Sequence, residues 1–128
     1  MKIEHLAIWA KDLEGMRVFY QQFFDFESND MYHNPAKGFR SYFLSFGEGA
    51  RIEIMHREDV EEGGEPNANR IGLAHFAISL GSRERVDELT EQIRSAGYKV
   101  VGEPRTTGDG YYESVIEDPE GNHIELTA

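Results

Sequence analysis

The chain has 128 residues, a natural size for one domain with a hydrophobic core. Its formal net charge of −11 argues against nucleic acid and anionic membranes, because phosphate surfaces demand basic patches. It has no cysteine, no apolar run of membrane-spanning length and no signal peptide, so the expectation is a cytoplasmic protein without disulfides, in which any metal is held by nitrogen and oxygen.

Residues 2–9 alternate and predict a strand. Asp12 is placed to cap a helix whose apolar stripe is Leu13, Met16, Phe19, Tyr20 and Phe23, and Asp25 ends it near the left-handed region. Three strands are predicted over 27–34, 38–47 and 50–57. The segment EDVEEGGEPNANR, residues 58–70, is polar and carries glycine and proline, the composition of a linker. Its acidic cluster reads as a solvated loop.

A further strand runs through His75, and Ser82 caps a helix with the stripe Val86, Leu89, Ile93 and Ala96. Gly97 stops that helix, where a left-handed residue is wanted. Strands are predicted near 98–104, 111–117 and 122–127, the last two joined by the turn Asp118-Pro119-Glu120-Gly121. The loop 106–114 is glycine-rich, but no helix follows it, so it is not a phosphate-binding fingerprint.

The second half repeats the first. His5-Leu6-Ala7-Ile8 returns as His75-Phe76-Ala77-Ile78, and GARIEI, ending at Ile54, returns as GNHIEL, ending at Leu126. Each copy reads β-α-β-β-β, which predicts one α+β domain over 1–128, with modules 1–57 and 71–128.

Alternation then sorts the side chains. His5, Ala7 and Trp9 share one face and Leu6 and Ile8 the other. Glu53 opposes Ile52 and Ile54, and Glu125 opposes Ile124 and Leu126. Each copy thus carries one histidine and one glutamate on the face away from its apolar row. If a pseudo-twofold axis relates the copies, His5, Glu53, His75 and Glu125 can converge. Two imidazoles and two carboxylates suit Ni²⁺, Zn²⁺, Co²⁺ or Mn²⁺. A metal also resolves the cost of placing a carboxylate in an apolar strand. His33, His56 and His123 have no repeat partner, and structural or surface roles are expected for them. His123 shares the face of Glu125.

His5 in the first strand, GLAHFAI around His75 and EDPEGNHIEL around Glu125 resemble the vicinal-oxygen-chelate superfamily. That superfamily includes glyoxalase I, bleomycin resistance proteins and extradiol dioxygenases. The resemblance covers the whole chain and implies tandem βαβββ modules forming an open curved mixed sheet around a metal site. Glutamate at position 53 is most similar to glyoxalase I. The resemblance implies one divalent ion per site, Ni²⁺ or Zn²⁺ first and Co²⁺, Mn²⁺ or Fe²⁺ as alternatives, a small-molecule substrate and a homodimer. It further implies a lactoylglutathione lyase-like activity on an α-hydroxycarbonyl, such as a methylglyoxal–thiol hemithioacetal, by proton abstraction and enediolate stabilisation. Glu125 would be the base and Glu53 its symmetric partner.

The chain departs from glyoxalase I at two positions. Trp9 stands where that family commonly has a glutathione-binding arginine, and Arg57 stands in place of an asparagine. The metal chemistry therefore carries over better than the glutathione dependence. Trp9, Arg57 and Tyr111 are the expected substrate contacts. Two further readings stay open: a small-molecule or drug-binding resistance protein that needs no metal, and another metalloenzyme of the superfamily, a dioxygenase or thiol transferase.

Overall fold

The computed structural model describes residues 1–63 and 71–128. The chain divides into two compact units, Met1–Gly63 and Gly64–Ala128. Residues 64–70 of the expected linker lie outside the described residues.

The first unit runs β1 (His5–Trp9), α1 (Leu13–Phe24), β2 (Glu27–Ser28), β3 (Tyr32–Asn34), β4 (Phe39–Ser45) and β5 (Arg51–Arg57). The Asp12 carboxylate accepts from the Gly15 amide at 3.0 Å and caps α1. Leu13, Met16, Phe19, Tyr20 and Phe24 form its buried stripe. They pack on the sheet face that carries Tyr42, Leu44, Ile52 and Ile54, all buried. Each such side chain contributes about 1.5–3 kcal/mol by leaving water. Asp25 ends the helix at φ 53°, as its position predicts.

The single strand expected over 27–34 is broken into β2 and β3. Asn29 is the reason. Its amide donates to the Phe43 carbonyl at 3.1 Å, and its side-chain oxygen accepts from the Phe43 amide at 2.8 Å. A side chain takes the place of a ladder bond, and the backbone leaves β4 until Tyr32 pairs with Ser41.

The second unit runs β6 (Phe76–Ser79), α2 (Arg83–Ser95), β7 (Val100–Thr106), β8 (Tyr112–Glu117) and β9 (His123–Thr127). The Ser82 hydroxyl accepts from the Arg85 amide at 3.3 Å. At the other end the Gly97 amide donates to the Arg94 carbonyl and the Tyr98 amide to the Ile93 carbonyl, with Gly97 at φ 91°. This is the Schellman arrangement that a glycine at this position permits. The buried stripe is Val86, Leu89, Thr90 and Ile93, and Ala96 is exposed. Thr90 can be buried because its hydroxyl donates to the Val86 carbonyl at 2.6 Å and meets the Ser114 hydroxyl at 2.7 Å.

Both units share one topology. The first sheet has the order β1-β5-β4-β2, with β3 also paired to β4, and the second has the order β6-β9-β8-β7. In each, the unit's first and last strands are parallel neighbours and the remaining pairs are antiparallel. The result is a mixed α+β architecture of two open sheets, each with one helix on one face.

Candidate metal centre

The parallel ladders place the candidate ligands. Ala7 lies beside Glu53 in the first sheet, and Ala77 lies beside Glu125 in the second. His5 and His75 each stand two residues before that alanine. Each histidine therefore reaches diagonally across a side chain of one carbon to the glutamate of the next strand. His5 Nε2 lies 3.8 Å from a Glu53 carboxylate oxygen, and His75 Nε2 lies 3.2 Å from one of Glu125.

The carboxylates are the sheltered partners. The side chains of Glu53 and Glu125 are 15% and 20% exposed, against 40% and 45% for the two imidazoles. Among the described residues, the ion-pair partner of each carboxylate is the histidine of its own unit. The opposite face of the same strands is core: Ile52, Ile54, Ile124 and Leu126 are all buried. One difference from the sequence reading is that His75 sits one residue ahead of β6, whereas His5 opens β1.

His5 has further support. A carboxylate only accepts, so the contact between His5 Nδ1 and Glu4 Oε2 is a hydrogen bond donated by the imidazole. Arg51 donates to the other oxygen of Glu4. The His5 imidazole, and then the Arg51 guanidinium against some desolvation, hold the Glu4 carboxyl below its ordinary value. Arg51 also lies over the Phe43 ring at 4.2 Å, and Phe43 meets the His5 ring edge-on at 5.5 Å. Sequence reading passed over Glu4, Arg51 and Phe43. The available signal was a pair of opposite charges at the entry of two strands that run parallel.

Trp9 is half-exposed on the row of His5, edge-on to Phe39 at 6.2 Å. Phe39 in turn faces Tyr32 at 6.1 Å. The Arg57 guanidinium lies 5.4 Å from the Trp9 ring centre and is ion-paired to Asp59. Its charge is therefore partly spent within the chain. Tyr111 precedes β8 and is exposed. Tyr112 is turned to α2: its hydroxyl donates to Asp87 at 2.7 Å, under the Arg83 guanidinium. Of the other histidines, His56 donates from Nδ1 to the Ala10 carbonyl at 2.9 Å, His123 meets Glu117 at 3.3 Å, and His33 is exposed.

Residues 2–126 match the Glyoxalase/Bleomycin resistance protein/Dioxygenase superfamily. The chain belongs to this superfamily.

Among relatives, the uncharacterized protein YqjT of Bacillus subtilis (strain 168) is 29% identical over 131 residues, 98% of each chain. Glyoxalase I from Zea mays superposes with a TM-score of 0.80 at 25% identity; the match covers 98% of this chain but 44% of the maize chain, less than half its length. The glyoxalase family protein from Enterococcus faecalis, at 23% identity, superposes with a TM-score of 0.78 over 99% of this chain and 97% of its own. Superfamily members generally bind a divalent metal and commonly act as dimers on small molecules. No helix among the described residues is long and apolar enough to cross a membrane.

The residues fit such an ion as pairs. Among the described residues no group of three or more His, Cys, Asp or Glu is assembled for a metal. Each unit instead brings one candidate nitrogen beside one candidate oxygen, and in the second unit His123 and Glu117 form a separate pair. Two ligands bonded at about 2.1 Å are about 3.0 Å apart at a right angle and about 3.4 Å apart at a tetrahedral one. The 3.2 Å of His75 and Glu125 falls in that range, and the 3.8 Å of His5 and Glu53 needs a few tenths of an ångström of closure.

Proposed function

We propose that this protein is a glyoxalase I-like, metal-dependent lyase or isomerase acting on an α-hydroxycarbonyl substrate, of which a methylglyoxal–thiol hemithioacetal is the model case. The observation that supports it is the recurrence of one His–Glu pair in the same register of two repeated units. His5, Glu53, His75 and Glu125 are the ligands in this reading, the two pairs serving one centre within a chain or across a homodimer. Nitrogen and oxygen donors without thiolate suit Ni²⁺ or Zn²⁺. Such an ion supplies Lewis-acid polarisation of the substrate oxygens.

The rest falls to the chain. Glu125, sheltered and next to an imidazole, is the base that takes the proton from the carbon beside the carbonyl and returns it to the neighbouring carbon. Glu53 is its counterpart in the other unit. Trp9, with Phe39 behind it, offers an apolar wall on the row of His5, and the exposed Tyr111 is assigned in this reading as a further substrate contact. Arg57, neutralised in part by Asp59, is a weak hook for an anionic group. With Trp9 and Arg57 at the two departures from the glutathione pattern, we assign a thiol or thiol-free substrate with an apolar body rather than glutathione.

The test is elemental analysis of the purified protein, before and after chelation and reloading with Ni²⁺ or Zn²⁺, beside His5→Ala and Glu125→Gln variants. One ion per site, lost or weakened in the variants, supports the centre and opens a screen of hemithioacetals of several thiols. Absence of uptake at micromolar metal sinks the enzyme reading and leaves the small-molecule-binding one.

A further inference from the structure

The two histidines are not held alike. The residue before His5 is Glu4, and the residue before His75 is Ala74. Glu4 accepts the Nδ1 proton of His5 and is itself fixed twice by Arg51. The Arg51 amide donates to the Glu4 carbonyl at 3.0 Å, and the Arg51 guanidinium pairs with the Glu4 carboxylate. In the other unit the residue two before the glutamate is His123, which meets Glu117 instead. Among the described residues, no carboxylate meets Nδ1 of His75.

A neutral imidazole carries one proton. If Nδ1 holds it, Nε2 is bare and able to ligate; if Nε2 holds it, the nitrogen facing Glu53 is a donor instead. We infer that Glu4, braced by Arg51, is a positioning residue that fixes His5 in the Nδ1–H tautomer, with a bare Nε2 turned to Glu53. Among the described residues His75 has no such brace on Nδ1, and its ion-pair contact is the one from Nε2 to Glu125. The inference rests on the metal reading only for its purpose, because the tautomer is a property of the metal-free protein. It also makes the two His–Glu pairs unequal: the tautomer of His5 is pre-set by Glu4, and that of His75 is not.

The experiment is imidazole nitrogen NMR of the metal-free protein, buffered well above the imidazole range so that both rings are neutral. Wild-type His5 is expected with its proton on Nδ1. In Glu4→Ala the proton should move mainly to Nε2, the tautomer an unassisted imidazole favours. Glu4→Gln keeps an acceptor oxygen and should restore Nδ1–H in part. His75 should not change in either variant and serves as the internal reference. Glu4 is exposed, so neither variant threatens the fold. Zinc affinity, read by competition with a chelator, should fall about tenfold to a hundredfold in Glu4→Ala. An unchanged tautomer in Glu4→Ala overturns the inference, even if zinc affinity falls, because the fall is then only lost charge. A tautomer that moves in a protein that takes up no zinc supports the role of Glu4 and overturns the metal centre. Movement of both supports both.

Discussion

Tyr42→Phe is the substitution whose effect can be worked out most fully. Tyr42 is buried on β4 beside Ile54, and its hydroxyl donates to the Glu14 carboxylate on α1. The bond ties the helix to the back of the sheet whose front carries Glu53. Removing the hydroxyl leaves the ring, and the Arg17 guanidinium 5.2 Å from its centre can stay. It does not strand the carboxylate either, because Arg17 donates to Glu14 from two nitrogens at 3.0 and 2.8 Å. A hydrogen bond to a charged group contributes about 1.5–3 kcal/mol when sheltered. The Glu14 side chain is 55% exposed, and solvent screening brings the expected loss to about 1 kcal/mol. That is a fall of roughly 4 °C in Tm. The loss depends on pH. Tyr42 first, and then Arg17, hold the Glu14 carboxyl below its ordinary 4.5. A depressed carboxyl contributes stability above its unfolded value and loses it as pH falls through the folded one. The gap between wild type and Tyr42→Phe should therefore be full at neutrality and shrink as pH drops below 4.5. Urea unfolding followed by circular dichroism at neutral pH and at about pH 3.5 measures it. A gap of equal size at both pH values, or none at neutrality, would refute the reasoning.

Three further outcomes follow from the same structure. Thr90→Val should cost about 1–3 kcal/mol, since it leaves the buried Ser114 hydroxyl without its partner; Ser114→Ala should cost less, because Thr90 keeps its bond to the Val86 carbonyl, and urea midpoints of the two variants in the reverse order would contradict this. Glu125→Gln should lower kcat by about a hundredfold or more on any hemithioacetal turned over, with some metal retained, and full activity in that variant would remove Glu125 from the role of base. Ala7→Leu should put methyl groups between His5 and Glu53, weakening zinc binding while stability stays within about 0.5 kcal/mol; unchanged zinc affinity would show that the diagonal reach across Ala7 is not how the pair forms.

Most of the fold was legible because its signals are periodic and written twice. The helical stripe from Leu13 to Tyr20, the caps Asp12 and Ser82 and the stop at Gly97 all act within a few residues and are where their chemistry predicts, while the stripe's last member is Phe24 rather than the expected Phe23. What escaped depends on partners far along the chain. Asn29 reads as an ordinary loop former until Phe43 stands beside it and the strand breaks there. Ala96 fits the helical period better than Thr90, yet Thr90 is the buried one, because a hydroxyl on β8 meets it. The signal at Glu4 is only its charge opposite that of Arg51, and it becomes readable once parallel pairing brings Arg51 to it.

On the proposed metal reading, the same strand pairing sets which donors stand near each glutamate. In the row that contains Glu53, its neighbours across the sheet are Ala7 and Phe43. In the row that contains Glu125 they are Ala77 and Val115. The alanine leaves the space through which the histidine leans, and the residue on the far side has no donor atom. Adjacent strands lie about 4.8 Å apart, so a donor reaches the glutamate only from a diagonal position, as His5 and His75 do. Among the described residues each sheet thus brings imidazole and carboxylate together in pairs, His123 and Glu117 forming a second pair in the second sheet, and in no group of three. On the proposed metal reading, repeating the unit doubles the donors without asking any strand to bury a second charge. That reading also gives a reason for a glutamate between two buried apolar residues in both strands, Ile52 and Ile54 in one and Ile124 and Leu126 in the other.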